Sequence, residues 1–196
     1  AGNPAQFLFE RVVTHDSLDW RFLTLEIAPA RLADALVGVA ALGFRGCMLA
    51  GPLQELAVGF TTSVRPAARF AGGCNLLEQS KDGGLLGHLT LGRGVLDSIR
   101  LHTDPSTTRA LILGTNLLAR SLALELTLGG IPGITIVDPW DDQASALAEA
   151  VNAVEGGNAS AAENKVVPMD EDLGIVIATE EDRLLPGDFQ LPEFRE

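Results

Sequence analysis

The chain has 196 residues with 14 basic and 26 acidic side chains, a formal net charge of −12. That balance offers no electrostatic footprint for a phosphate backbone or an anionic lipid surface, so nucleic acid and membrane are excluded as expected partners, and small molecules and proteins remain. With 46% hydrophobic and 20% charged residues, the composition is that of a packed globular protein, long enough for one large domain or two small ones.

Leu23, Leu25 and Ile27 alternate with Phe22, Thr24 and Glu26, a period of two that predicts a strand. Pro29 opens a predicted helix whose apolar positions Leu32, Leu36, Val39 and Ala40 fall at helical spacing, and Gly43 stands where a C-terminal cap needs positive φ. Phe44 to Leu49 reads as a second strand, and Pro52 starts a short helix from Leu53 to Val58. The order β-α-β-α implies a parallel sheet. Between Cys74 and Thr90, two short apolar runs flank Lys81-Asp82-Gly83-Gly84, which predicts a hairpin. Val95 to Leu101 reads as helix, and the polar, turn-forming stretch from His102 to Thr108 places a domain boundary. A second alternation follows: strand Arg109 to Leu113, helix Leu117 to Leu128, strand Ile134 to Asp138, helix Gln143 to Val154, a loop at Gly156 to Ser160, and strand Gly174 to Thr179. Such a βαβαβ unit is the mononucleotide-binding half of a doubly wound fold.

Cys47 and Cys74 each lie in an apolar run, outside any C-x-x-C or Cys/His cluster. This excludes a structural zinc site, makes a disulfide framework unexpected, and predicts two buried small apolar residues. The chain has no run of 18 apolar residues, and Ala1-Gly2-Asn3-Pro4 lacks the parts of a signal peptide, so the expected location is cytoplasmic. Asp170-Glu171-Asp172 and Glu180-Glu181 read as solvated faces. Lysine is scarce: Lys81 and Lys165 are the only two among 14 basic residues.

Five separated blocks then carry a family pattern: Leu18-Asp19-Trp20-Arg21, Ala41-Leu42-Gly43-Phe44-Arg45-Gly46, Gly51-Pro52, Gly72-Gly73-Cys74-Asn75, and Gly87-His88-Leu89-Thr90-Leu91-Gly92. In order and spacing they resemble shikimate dehydrogenases, over roughly residues 7 to 180. The resemblance implies an α/β fold with a βαβα substrate-type domain at residues 1–103 and a Rossmann-like parallel-sheet domain at 104–196. The second domain is expected to be incomplete, because the family's remaining strands have no counterpart after Leu185-Pro186-Gly187, and its first strand has none before Phe7.

The family implies hydride transfer between NADP and a carbon of shikimate, with a Lys and an Asp moving the proton at the reacting oxygen. Where members read roughly N-V-T-x-P-x-K, this chain reads Met48-Leu49-Ala50-Gly51-Pro52-Leu53-Gln54, so the lysine position is Gln54. The aspartate position is Leu91. No catalytic residue is therefore assigned. The serine pair of the substrate site aligns with Asn3 and Ala5, and Asn75 is the polar anchor that survives; Asn75 and Gln54 are the substrate-binding candidates. Gly114, Asn116 and Asp138 are the cofactor-binding candidates. Asn116 stands where members have a glycine that lets backbone approach a pyrophosphate. Asp138 ends the second strand, where an acid repels a 2′-phosphate and accepts from a ribose hydroxyl, so NAD is preferred over NADP if either binds. Each candidate has a plainer role: Gln54 as a first-turn helix residue, Asn75 as a strand-end fixer, Asp138 as a helix cap, Gly114 as a strand-to-helix turn. His88 could serve as a substitute acid or base, or simply pack against the hairpin. The expected protein is a diverged shikimate dehydrogenase-like chain that has lost reduction of 3-dehydroshikimate and binds a small ligand or a partner. The alternative is an active NAD(P)-dependent oxidoreductase with other proton-transfer groups. The sequence does not specify self-association.

Overall fold

A computed structural model describes residues 3–138, 140–162 and 172–179. The chain starts with helix α1 (Pro4–His15), capped by the Asn3 side chain, which accepts from the Ala5 N–H at 3.0 Å. Helix α2 (Leu32–Ala41) follows a single 3₁₀ turn at Pro29–Arg31 and buries Leu32 and Leu36, while Gly43 takes φ +72° just beyond its end. Next come strand β1 (Gly46–Met48), helix α3 (Leu53–Leu56), strand β2 (Ser63–Val64) and helix α4 (Pro66–Ala71). Strands β3 (Leu76–Gln79) and β4 (Leu85–His88) form the expected hairpin, with Gly83 at φ +84° in the turn.

The first sheet has the order β1-β3-β4-β2 and is mixed, not parallel. β1 pairs antiparallel with β3 and β3 with β4, whereas β2 pairs parallel with β4. β1 and β2 do run in one direction, as a β-α-β crossover requires, but the hairpin lies between them. The predicted strand at Leu23 to Ile27 is also corrected. The segment is extended but pairs with no strand among the described residues. Leu23 and Leu25 are correspondingly exposed.

Helix α5 (Leu91–Ile99) begins four residues earlier than the pattern predicts and leads to the second sheet. There strand β5 (Arg109–Leu113), helix α6 (Leu117–Leu128), strand β6 (Ile134–Val137), helix α7 (Asp141–Asn152), strand β7 (Ala159–Ala161) and strand β8 (Leu173–Ala178) form an all-parallel sheet of order β7-β6-β5-β8. The stretch expected to be a loop therefore holds a strand: β7 pairs with β6 in the register Ile134 to Ala159. A core of Ile112, Leu122, Leu126, Ile134 and Ile136 fills this sheet's helix side, and Leu96 of α5 joins it. The two halves thus share packing at α5 and α6. Among the described residues no helix is long and apolar enough to cross a membrane. Asp172 is exposed as expected, whereas Asp170, Glu171 and the Glu180-Glu181 pair lie outside the described residues.

Cys74 is fully buried with Leu77 and Leu85, and Cys47 packs half-buried against the same cluster. Burial, reinforced by the neighbouring Cys47, pushes the Cys74 thiol up to about 11. The sign follows from proton counting. Above the ordinary thiol range the unfolded chain gives up a proton that the folded chain keeps, so stability falls as pH rises through that range towards 11. Urea unfolding at pH 8 and pH 10 should show a lower midpoint at the higher pH, and Cys74→Ala should remove part of the difference.

Candidate functional site

The residues singled out by sequence fall into two groups, one around α3, β3 and α5, the other around the β5 to α6 turn. In the first group, Gln54 sits in the opening turn of α3 and folds back on its own loop, its Nε2 donating to the Leu49 carbonyl at 2.8 Å. Its backbone carbonyl accepts from Cys74 N–H at 2.9 Å, and Leu49 N–H donates to the Asn75 carbonyl at 2.9 Å. Gln54 and Asn75 are thus brought into one neighbourhood.

Asn75 is buried, and its carboxamide is committed to a single partner. Oδ1 accepts from Thr90 N–H at 2.8 Å, and Nδ2 donates to Thr90 Oγ1 at 3.0 Å. Thr90 precedes α5, so this pair ties the strand β3 side to the start of that helix. Asn75→Ala should therefore cost about 1–2 kcal/mol by removing both hydrogen bonds to Thr90, the acceptor of its N–H and the donor to its hydroxyl, measurable by urea unfolding. Leu91, at the family's aspartate position, packs against the apolar cluster that holds Leu89 and Leu117. His88 donates to or accepts from Glu78 across the hairpin, Nε2 to Oε2 at 2.9 Å. Its backbone carbonyl accepts from Asn75 N–H at 2.9 Å. Glu55 of α3 and Arg120 of α6 form an ion pair that joins the two halves beside Gln54.

In the second group, Gly114 takes φ +102° after β5, a turn that suits glycine. Asn116 does not adopt left-handed angles: at φ −64° and ψ 179° it is the N-cap of α6. Its Oδ1 accepts from Ala119 N–H at 3.0 Å, and its Nδ2 donates to the Thr179 carbonyl at 2.6 Å, fastening the helix to the end of β8. Asp138 is only 4% exposed. Its Oδ1 accepts from Trp140 N–H at 3.0 Å, and its Oδ2 accepts the Thr115 hydroxyl at 2.7 Å. Gln143 of α7 approaches the same hydroxyl at 3.0 Å. Thr115 and Gln143 went unnoticed in the sequence, since a hydroxyl and an amide 28 residues apart carry no spacing signal. Among the described residues, no group of three or more His, Cys, Asp or Glu side chains could hold a metal ion.

No protein-family model matches the chain. It is 34% identical over 131 residues to shikimate dehydrogenase (NADP(+)) of Moorella thermoacetica, which covers 66% of this chain and 44% of that protein. It is 32% identical over 139 residues to the enzyme of the same name from Rhodospirillum rubrum, covering 69% and 49%. The chain spans about half the length of these relatives. Among solved structures it is similar to the ligand-free 5-ketofructose reductase of Gluconobacter sp. strain CHM43, with a TM-score of 0.84 and 29% identity over 92% of this chain and 65% of that one. The fold also matches shikimate 5-dehydrogenase of Listeria monocytogenes in complex with shikimate and NAD, with a TM-score of 0.75 and 23% identity over 82% and 57%.

Proposed function

Since the chain belongs to the shikimate dehydrogenase family, we propose that it is a diverged member that lacks the reduction of 3-dehydroshikimate and binds a small molecule or a partner protein instead. The observation that carries this reading is the state of the two proton-handling positions. Gln54 spends its amide on the Leu49 carbonyl, and Leu91 packs, partly buried, against the apolar core. An amide donates a hydrogen bond but exchanges no proton near pH 7, and a leucine does neither. General acid-base assistance is worth roughly 10²- to 10⁴-fold, so its loss leaves an alcohol-ketone conversion without a proton route.

The residues of the turn after β5 do not fit a nicotinamide dinucleotide. A pyrophosphate needs open N–H groups at the start of α6. The Asn116 carboxamide lies on that helix end and is tied to Thr179. Asp138 is buried under Trp140 and Thr115 and presents no oxygen at the surface for a ribose.

A second reading, an NAD(P)-dependent oxidoreductase with other proton-transfer groups, is favoured by the likeness to 5-ketofructose reductase. One experiment separates the two. The purified chain is mixed with NADP or NAD and shikimate or quinate, or with the reduced cofactor and 3-dehydroshikimate or 5-ketofructose, and nicotinamide absorbance is followed. The first reading expects no turnover. Turnover that persists in Gln54→Ala would establish the second. Melting curves with the same compounds then report binding. A ligand held at ~100 times its Kd adds about 2.7 kcal/mol to native stability, or roughly 5–10 °C for a chain of this size.

A further inference from the structure

The β7 edge of the second sheet is closed by a side chain. In a parallel pair, successive residues of one strand direct their backbone groups alternately toward the partner and away from it. The Asn158 carbonyl accepts from Ile134 N–H at 2.9 Å, and Ala162 N–H donates to the Ile136 carbonyl at 2.9 Å, so both face β6. Ser160 shares that direction, and Ala159 and Ala161 turn their N–H and C=O groups outward. No strand of the described residues lies on that side, because β7 ends the order β7-β6-β5-β8.

Asn152, the last residue of α7, stands there instead. Its Oδ1 accepts from Ala159 N–H at 2.8 Å, and its Nδ2 donates to the Ala159 carbonyl at 2.9 Å. One carboxamide thus supplies the donor and acceptor that a facing strand residue would supply, and gives both to a single residue. The connection enforces this approach. After α7 the chain turns through Gly156 at φ +78°, and a Cβ on Gly157 would stand 2.0 Å from the Val151 carbonyl oxygen, so the backbone passes hard against the helix end and brings β7 alongside Asn152.

Asn152 is exposed and Ala159 only half-buried, so water would satisfy the same backbone groups. What the two bonds change is access. An open strand edge is a template for another strand, and Ala159, Ser160 and Ala161 present nothing bulky to a neighbour. Identical edges pair antiparallel across a two-fold axis, so a second copy of this chain carries the matching groups. Charge opposes that meeting: from Ser121 to Ala162 there is no Lys, Arg or His, and the exposed Glu149 and Glu155 flank Asn152. We propose that Asn152 is an edge guard. Its carboxamide fills the outer edge of β7, and its removal lets β7 pair with β7 of a second copy into one continuous sheet.

Sedimentation over a concentration series, with amide exchange beside it, tests this. Asn152→Ala should gain mass with concentration beyond the unsubstituted chain, and about 1 M NaCl should strengthen the association by screening the carboxylates. At dilutions where both proteins have their smallest mass, the Ala159 amide should exchange at least tenfold faster in the variant. Adding Ala161→Pro removes an outward N–H and leaves the bonds to β6 intact, as proline does on an edge strand, and should abolish the association. That double variant separates strand pairing from partial unfolding, which a proline would not reverse. Should it fail to fold, as judged by circular dichroism, concentration-dependent slowing of the Ala161 amide in Asn152→Ala decides alone. Unchanged mass across the series, unchanged Ala159 exchange, association that survives Ala161→Pro in a folded protein, or association that salt weakens each overturns the proposal.

Discussion

Gly92→Ala destabilises the chain by about 3 kcal/mol, whereas Gly94→Ala, two residues further along the same helix, stabilises it by up to about 1 kcal/mol. A Cβ at Gly92 would stand 2.4 Å from both the carbonyl carbon and oxygen of Ser121 and 2.5 Å from Leu122 N. Those are backbone atoms of α6, so no side-chain rotation relieves the overlap. α5 must move away from α6, and the Gly92 N–H bond to Ser121 Oγ, 2.9 Å in a buried setting, goes with it. Overpacking of this kind costs typically ~1–3 kcal/mol and occasionally more, and the orphaned buried donor adds to it. At Gly94 a Cβ meets nothing within 4 Å. The helix-propensity gain of about 0.8–1 kcal/mol therefore emerges undiluted. Urea unfolding of both variants checks the pair. Because α5 follows the first sheet and α6 belongs to the second, the Gly92 variant should also loosen the seam between the halves, visible as earlier amide exchange in both helices. Equal midpoints for the two variants would mean that the helices separate without cost.

That contact explains part of what could be read from the sequence. The central strands β5 and β6 of the second sheet are buried on both faces, so Ala110 to Leu113 appears as an unbroken apolar run and Ile134 to Val137 as a run interrupted by Thr135, and their helices keep helical spacing. β7 escaped because Ala159-Ser160-Ala161 follows two glycines and has little strand character; its pairing comes from the β6 edge beside it. The Leu23 to Ile27 pattern differs in the opposite direction: the segment is extended but pairs with no strand among the described residues, and alternation alone does not supply a neighbour. The hairpin was legible from Asp82-Gly83, but its position between β1 and β2 was not, because turn chemistry says nothing about sheet order. At the site, the identities of Gln54, Asn75, Asn116 and Asp138 were visible and their commitments were not. Each is held by Leu49, Thr90, Thr179 or Thr115, partners set by tertiary placement and not by spacing.

Asp138 gives the sharpest test of whether such a residue serves a ligand or the fold. Asp138→Ala should cost about 3 kcal/mol in the absence of any ligand. It strips an ionised acceptor from the Trp140 N–H at the start of α7 and from the Thr115 hydroxyl behind β5. Hydrogen bonds to a charged group contribute roughly 1.5–3 kcal/mol each, and removing the buried carboxylate returns part of the sum by relieving its desolvation. Asp138→Asn should cost only about 1 kcal/mol. Its carbonyl oxygen still accepts from Trp140 N–H, while its amide donates to Thr115 Oγ1, and the Thr115 proton turns to Gln143 Oε1, already 3.0 Å away. A carboxylate that grips a ribose predicts a different ordering: both substitutions would leave the free protein near its original stability, and both would weaken NAD-dependent stabilisation. Urea midpoints of the three proteins without ligand, followed by melting curves with NAD, therefore distinguish the cap from the ribose acceptor. With the side chain 4% exposed and both oxygens engaged, a large loss for Ala, a small one for Asn, and no response to NAD in any of the three is the expected pattern.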